Sequence, residues 1–395
     1  MTSPAIVAVR TQRVRVPLHT PFVTALRRTD FAETVVVTVE DSDGCVGWGE
    51  APQVWKVTGD SLAGSAAALE GPISDALVGA AADLSSAGLI QGAVIGNRSA
   101  KMAADIALHD LVARRAGVSM TEHLDVLVST RARWRSPGST NAGPPLVEGH
   151  FVQTSEPLGG GVSKPTQLLT DMTLSVGTPA DLAEAAAARA RDGFTTLKIK
   201  VGTDPAGDAE RVLAVREAAP GYVLRLDANT GWRADEAVAV LTTLADKDVE
   251  LELVEQPVAR RDLEGMAYVR RHQPYPILAD ESVFDLEDLV DVIRAGAADA
   301  VNIKLAKCGG ITPAIELLEV ARSHGLGRLV GCMMESHLGI GAAAALVAAL
   351  GIPGEQDLDA GWWAKSSPYV GGIGYDGPRI LFPDAPGLGI EGVLA

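Results

Sequence analysis

The chain has 395 residues, 47% of them hydrophobic and 21% charged, proportions that exclude a collagen-like, coiled-coil or disordered protein. Thirty-four Lys and Arg against 50 Asp and Glu give a net charge of -16, which opposes nucleic acid and anionic membranes as partners. Three cysteines, Cys45, Cys308 and Cys332, fall at no zinc-finger or disulfide-framework spacing and suit reduced thiols in a cytoplasmic protein.

Met1 to Leu18 alternates apolar residues with Arg10, Arg13 and Arg15 and lacks the unbroken apolar stretch of a secretory signal, so it reads as a strand. Runs Ile6 to Val16, Glu33 to Val39 and Cys45 to Glu50, with the turn Asp41-Ser42-Asp43-Gly44, predict a small antiparallel meander. Ser61 to Ala116 changes to helical spacing, as in Leu108, Leu111 and Val112, and residues 1–126 are read as one α+β domain. Residues 127–168, with Ser136-Pro137-Gly138-Ser139 and Gly159-Gly160-Gly161, form an inserted linker: a surface loop, a substrate lid or a subunit contact.

A strand–helix rhythm then fills residues 169–365. Strands are predicted at Met172 to Val176, Thr196 to Val201, Val223 to Asp227, Leu251 to Glu255, Ile277 to Asp280, Ala300 to Lys304, Arg328 to Met333 and around Gln356 to Leu358. Helical patterns such as Pro179 to Ala190 and Pro313 to His324 separate them. Eight strands at ~25-residue intervals give a (β/α)7β barrel in preference to a doubly wound sheet, because polar residues close many strands instead of one switch point. The apolar run Leu338 to Leu350 is too short to span a bilayer.

The barrel charges stand at strand ends. Lys198 and Lys200, Asp227, Glu255, Asp280 and Lys304 close five successive strands, with separations of 27, 28, 25 and 24 residues from Lys200 onward. Three carboxylates converging on one mouth repel unless a cation lies between them, and oxygen-only ligation selects a hard ion, Mg²⁺ with Mn²⁺ as substitute. Asp227, Glu255 and Asp280 are assigned as its ligands; Glu281 adjoins Asp280, and strand alternation allows only one of the two to point inward. Lys198 and Lys200 share a face, and their mutual repulsion together with a metal lowers a lysine pKa toward that of a general base. Lys304, four strands on, lies opposite. Two amines across a metal can take a proton from one face of a carbon and return it to the other, while a metal-bound substrate carboxylate stabilises the enediolate. Thr173 at the first strand end and Cys332 and Met334 on the seventh are candidate pocket walls.

With these residues the chain resembles the enolase superfamily and its muconate lactonizing enzyme subgroup. The segments are Thr196-Leu197-Lys198-Ile199-Lys200-Val201-Gly202, Leu226-Asp227-Ala228-Asn229, Val254-Glu255-Gln256-Pro257, Ala279-Asp280-Glu281-Ser282 and Asn302-Ile303-Lys304. The resemblance implies that residues 1–126 cap the barrel and that residues 366–395 return to the cap. Asp357-Leu358-Asp359 looks like the Asp-x-Asp motif with which dipeptide epimerases hold a substrate ammonium, and Arg27, in Pro21 to Arg27, stands where L-Ala-D/L-Glu epimerases bind a glutamate side chain. His337 stands where those epimerases carry a lysine.

The implied activity is Mg²⁺-dependent epimerisation of L-Ala-L/D-Glu or a related dipeptide, an isomerase reaction with Lys200 and Lys304 exchanging the α-proton of the C-terminal residue and Lys198 stabilising the enediolate. A homo-oligomer acting on a small molecule is expected. N-acylamino acid racemase or o-succinylbenzoate synthase is the alternative, with no ammonium to engage Asp357 and Asp359; a catalytically silent metal-binding scaffold would not need opposed, mutually repelling charges.

Overall fold

Val35, Val37 and Val39 alternate with Val36 along one strand, and the two sets bury on opposite sides. This strand, β2 (Arg28–Asp41), is the centre of an antiparallel sheet between β1 (Ile6–Val23) and β3 (Val46–Pro52). The computed structural model describes residues 4–23, 28–133 and 166–394. On one face the helix Arg98–Ala116 packs Ala103, Ala104, Ala107 and Leu111 against the odd-numbered valines. Its approach to β3 requires glycine: a Cβ on Gly49 would lie 1.8 Å from the Ala103 carbonyl oxygen, and one on Gly47 2.0 Å from that of Ala107. β1 runs seven residues beyond its predicted end, because pairing resumes at Phe22–Thr29 after an irregularity at Pro17.

The short strand β4 (Gln167–Leu169) precedes a parallel sheet of β5 (Met172–Leu174), β6 (Thr196–Lys200), β7 (Val223–Asp227), β8 (Leu253–Glu255), β9 (Ile277–Ala279), β10 (Ala300–Lys304) and β11 (Gly327–Gly331), in sequential order. Leu197, Ile199, Leu224, Leu226, Val254 and Ile303 face the surrounding helices, while Leu253, Leu278, Ala300 and Leu329 form a separate cluster inside. Lys200, Asp227 and Glu255 pair across one rung, but Glu255 then pairs with Leu278, two residues before Asp280. That stagger is the tilt of a closing barrel.

The eighth predicted strand is reduced to two parallel bridges, Gly331–Asp357 and Thr170–Gln356, which join the sheet's two edges. The Gln356 side chain accepts the Val330 backbone N–H at 3.0 Å, replacing a ladder hydrogen bond, and a short helix, Ala360–Trp363, starts at once after Asp359. The arrangement is therefore the expected barrel with a vestigial closing strand. Among the described residues no helix is long and apolar enough to cross a membrane.

Glu50, fully buried at the end of β3, fixes the N-terminal sheet over the barrel by accepting the Ser336 backbone N–H (2.8 Å), the Ser336 hydroxyl (2.6 Å) and the Gly339 N–H (2.8 Å) at the start of the helix His337–Leu350. The C-terminal strands β12 (Tyr369–Gly371), β13 (Gly374–Asp376), β14 (Arg379–Leu381) and β15 (Ile390–Val393) include β14, which pairs with β4. The Leu388 N–H donates to Asp110 on the helix Arg98–Ala116 at 2.6 Å.

Candidate active site

The C-terminal ends of the barrel strands open into a cavity roofed by Phe22, Val54, Lys56 and Val57 of the N-terminal sheet and its following loop. Lys198, Lys200, Lys304, Asp280, Thr173, Cys332, Met334, Asp357 and Asp359 all line it. Asp227 and Glu255, fully buried, stand behind the lysines. The Lys198 ammonium group touches Asp227 (3.1 Å), Glu255 (2.6 Å) and Asp357 (2.9 Å); Lys200 touches Asp227 (2.5 Å); Lys304 touches Asp280 (2.9 Å) and lies 3.8 Å from Glu255. Arg27 lies outside the described residues.

Asp280 and Glu281 both reach the cavity, against the expectation that only one would. Strand β9 ends at Ala279, and the chain turns at once, with Val283 N–H donating to the Asp280 carbonyl, so alternation no longer applies. The Glu281 carboxylate accepts from the Asn229 side-chain amide at 3.3 Å. Asn229 follows Asp227 by two residues, a signal available in the sequence. No comparable signal marks Val54, Lys56 or Val57, which belong to an irregular segment. Lys307 is a further buried residue that sequence reasoning missed: its ammonium group donates to the Asn302 carbonyl (3.0 Å) and the Asp280 carbonyl and pairs with the Asp280 carboxylate at 2.5 Å. His337 is buried against Tyr375 and is not among the cavity's lining residues.

Charge in this site is nearly balanced by the protein itself. Burial opposes the charged form of Lys198, yet Asp357, Glu255 and Asp227 outweigh it and hold its pKa well above the ordinary lysine value. Burial likewise opposes Lys304, and Asp280 reverses it. For Lys198 and Lys304 the lowered lysine pKa expected from the sequence does not arise from the protein's own charges, because the carboxylates in contact with them favour the charged form. Burial pushes Glu255 up to about 8, with Asp227 adding to it, and Glu281 up to about 7. Asp227, despite burial, is held below its usual range by Lys200 and Lys198.

Among the described residues no three His, Cys, Asp or Glu side chains are gathered at ligand spacing round a common point, since ammonium groups stand between the carboxylates. The donor chemistry nevertheless fits a hard divalent cation. Every candidate donor is oxygen, and Glu281 Oε2 and Asn229 Oδ1 are buried without a hydrogen-bond partner. A cation among Asp227, Glu255 and Asp280 would take over contacts that the lysines now make.

A family model described as mandelate racemase / muconate lactonizing enzyme, N-terminal domain, matches residues 6–124, and one described as enolase C-terminal domain-like matches residues 181–392. The L-Ala-D/L-Glu epimerase of Bacillus subtilis is 38% identical over 391 residues, covering 98% of this chain and 97% of that protein. The solved structure of that epimerase in a substrate-liganded complex has a TM-score of 0.86 at 36% identity, covering 99% of this chain and 100% of that one. The dipeptide epimerase of Enterococcus faecalis, solved with Mg and the dipeptide L-Leu-L-Tyr, has a TM-score of 0.82 at 34% identity, covering 98% and 99%.

Proposed function

The chain belongs to the mandelate racemase/muconate lactonizing enzyme family of the enolase superfamily, and from that premise we propose that it is a Mg²⁺-dependent dipeptide epimerase. The observation that carries this reading is the entry of Lys200 and Lys304 into one cavity from β6 and β10, with carboxylates between them and Asp357 and Asp359 at its edge. A carbon held there has an amine on either face. When bound by Asp227, Glu255 and Asp280, Mg²⁺ supplies positive charge that acidifies the carbon α to a substrate carboxylate; Mn²⁺ would serve in its place. Lys200 and Lys304 take and return the α-proton of the C-terminal residue. Lys198, held by three carboxylates, faces the same carboxyl group and stabilises the charge it gains.

Asp357 and Asp359 offer two carboxylates to a free amino terminus, which an N-acylated substrate lacks; this favours dipeptides over acylamino acids. Arg27, with the apolar wall of Cys332 and Met334 and the Thr173 side chain, would engage the remainder of the dipeptide, of which L-Ala-L/D-Glu is the first choice. Residues 1–126 would cap the barrel of residues 169–365, with 127–168 as an insertion and 366–395 as the returning tail. The lack of nucleic-acid partners accords with the net charge of -16, and the reading extends to a cytoplasmic homo-oligomer.

The test is α-proton exchange in D₂O with Mg²⁺, read by mass spectrometry over a library of L,L-dipeptides with N-succinyl amino acids as controls. Deuterium gain in dipeptides is the expected result; gain confined to the succinylated controls would replace the reading with an acylamino acid racemase.

A further inference from the structure

Asp359 follows the bridged residues Gln356 and Asp357 and directly precedes the helix Ala360–Trp363, at the edge of the cavity. Its Oδ2 is doubly engaged: the backbone N–H of Thr173 donates to it at 2.9 Å and the indole N–H of Trp363 at 3.2 Å. Both donors converge on one oxygen, the Thr173 hydroxyl adds a further hydrogen bond to the carboxylate, and Asp359 still lines the cavity. Trp363 is itself fixed from outside the barrel. Its ring stacks on His19 (5.3 Å, 23°) and meets Phe22 edge-on (5.6 Å, 72°), both from β1, and Phe22 lines the cavity.

A buried indole N–H needs an acceptor, and any nearby backbone carbonyl would serve that need. Here the acceptor is a carboxylate that lines the cavity. We infer that Trp363 is a positioning residue for recognition of the substrate's amino terminus, aiming Asp359 through its indole N–H and making that aim depend on the packing of β1 against the barrel. The inference rests on the dipeptide reading above. The neighbouring Trp362 provides a contrast: it packs against His19 (4.6 Å) and Phe194 (5.5 Å), with the Arg189 guanidinium 4.6 Å from its ring.

The test compares W363F, which keeps an aromatic ring and loses the N–H, with W362F, using Mg²⁺-loaded full-length enzyme and the dipeptide that the wild type epimerises best. W363F is expected to raise KM about tenfold, the lower end of what a lost hydrogen bond to a charged group costs, with kcat within about twofold. W362F is expected to leave both within about twofold. An unchanged KM in W363F, or an equal rise in W362F, overturns the inference. If W363F fails to fold, W363H, which retains a ring N–H, is compared with W363L, which retains bulk alone; a lower KM in W363H supports the inference and equal values overturn it. A wild type that exchanges no dipeptide refutes the underlying reading, whereas an active wild type with an indifferent Trp363 refutes this inference alone.

Discussion

Lys304→Ala removes an ammonium group 2.9 Å from Asp280 and 3.8 Å from both Glu255 and Asp357. The fold is expected to tolerate the loss, because Asp280 keeps Lys307 at 2.5 Å and Glu255 and Asp357 keep Lys198 at 2.6 and 2.9 Å. The chemistry is not. With Lys200 on β6 and Lys304 four strands on, the proposed two-base mechanism gives each lysine one face of the α-carbon, so inversion in either direction needs both. A positioned general base is worth ~10²–10⁴-fold, and kcat/KM for epimerisation is expected to fall ~10³-fold, about 4 kcal/mol of barrier. Exchange separates from inversion. Lys200 can still remove and return a proton on its own face, so one epimer of the dipeptide gains deuterium with retained configuration and the other gains none; Lys200→Ala gives the opposite pattern. The assay is ¹H NMR of each pure epimer in D₂O with Mg²⁺, followed by chiral chromatography. Deuterium uptake by both epimers in K304A, or epimerisation at near wild-type rate, would refute the two-base arrangement.

Removing divalent cations with a chelator is expected to abolish exchange, and Mg²⁺ or Mn²⁺ to restore it, as read by the same NMR assay; full exchange in the chelated enzyme would contradict the metal assignment. Glu50→Ala leaves the buried Ser336 and Gly339 N–H groups without their acceptor and is expected to cost about 3–5 kcal/mol, lowering Tm by roughly 5 °C in a calorimetric scan. Burial, with Glu50 beside it, pushes Glu335 up to about 8 from the ordinary carboxylate value of 4.5. Its stabilising neutral form is complete below the unfolded value and is lost as pH rises toward 8, so Glu335→Gln is expected to gain about 4 kcal/mol over wild type at pH 9 and little at pH 4.5. A chemical denaturation series across that range with no pH-dependent difference between the two would count against it.

The sequence alone determined the barrel rhythm and the identity of the charges at its mouth. An apolar run closed by a charge, repeated every 24 to 28 residues from Lys200 to Lys304, sets both the strand period and the side from which each charge enters, and both are local properties of alternation and unit length. The Asp357 and Asp359 pair was legible through its resemblance to the Asp-x-Asp motif of dipeptide epimerases, not through the repeat. Alternation failed where strands stop: Glu281 joins Asp280 in the cavity because β9 ends at Ala279, and the eighth strand shrinks to two bridges because the Gln356 side chain takes over a backbone hydrogen bond. Only the tertiary structure decided what covers and tunes the site. Lys307 captures Asp280, Trp363 engages Asp359, Glu50 anchors the N-terminal sheet to Ser336 286 residues away, and that sheet brings Phe22, Val54, Lys56 and Val57 over the mouth. These contacts follow from close packing between distant segments, where shape and buried hydrogen bonding select the partner, and periodicity along the chain carries no record of it.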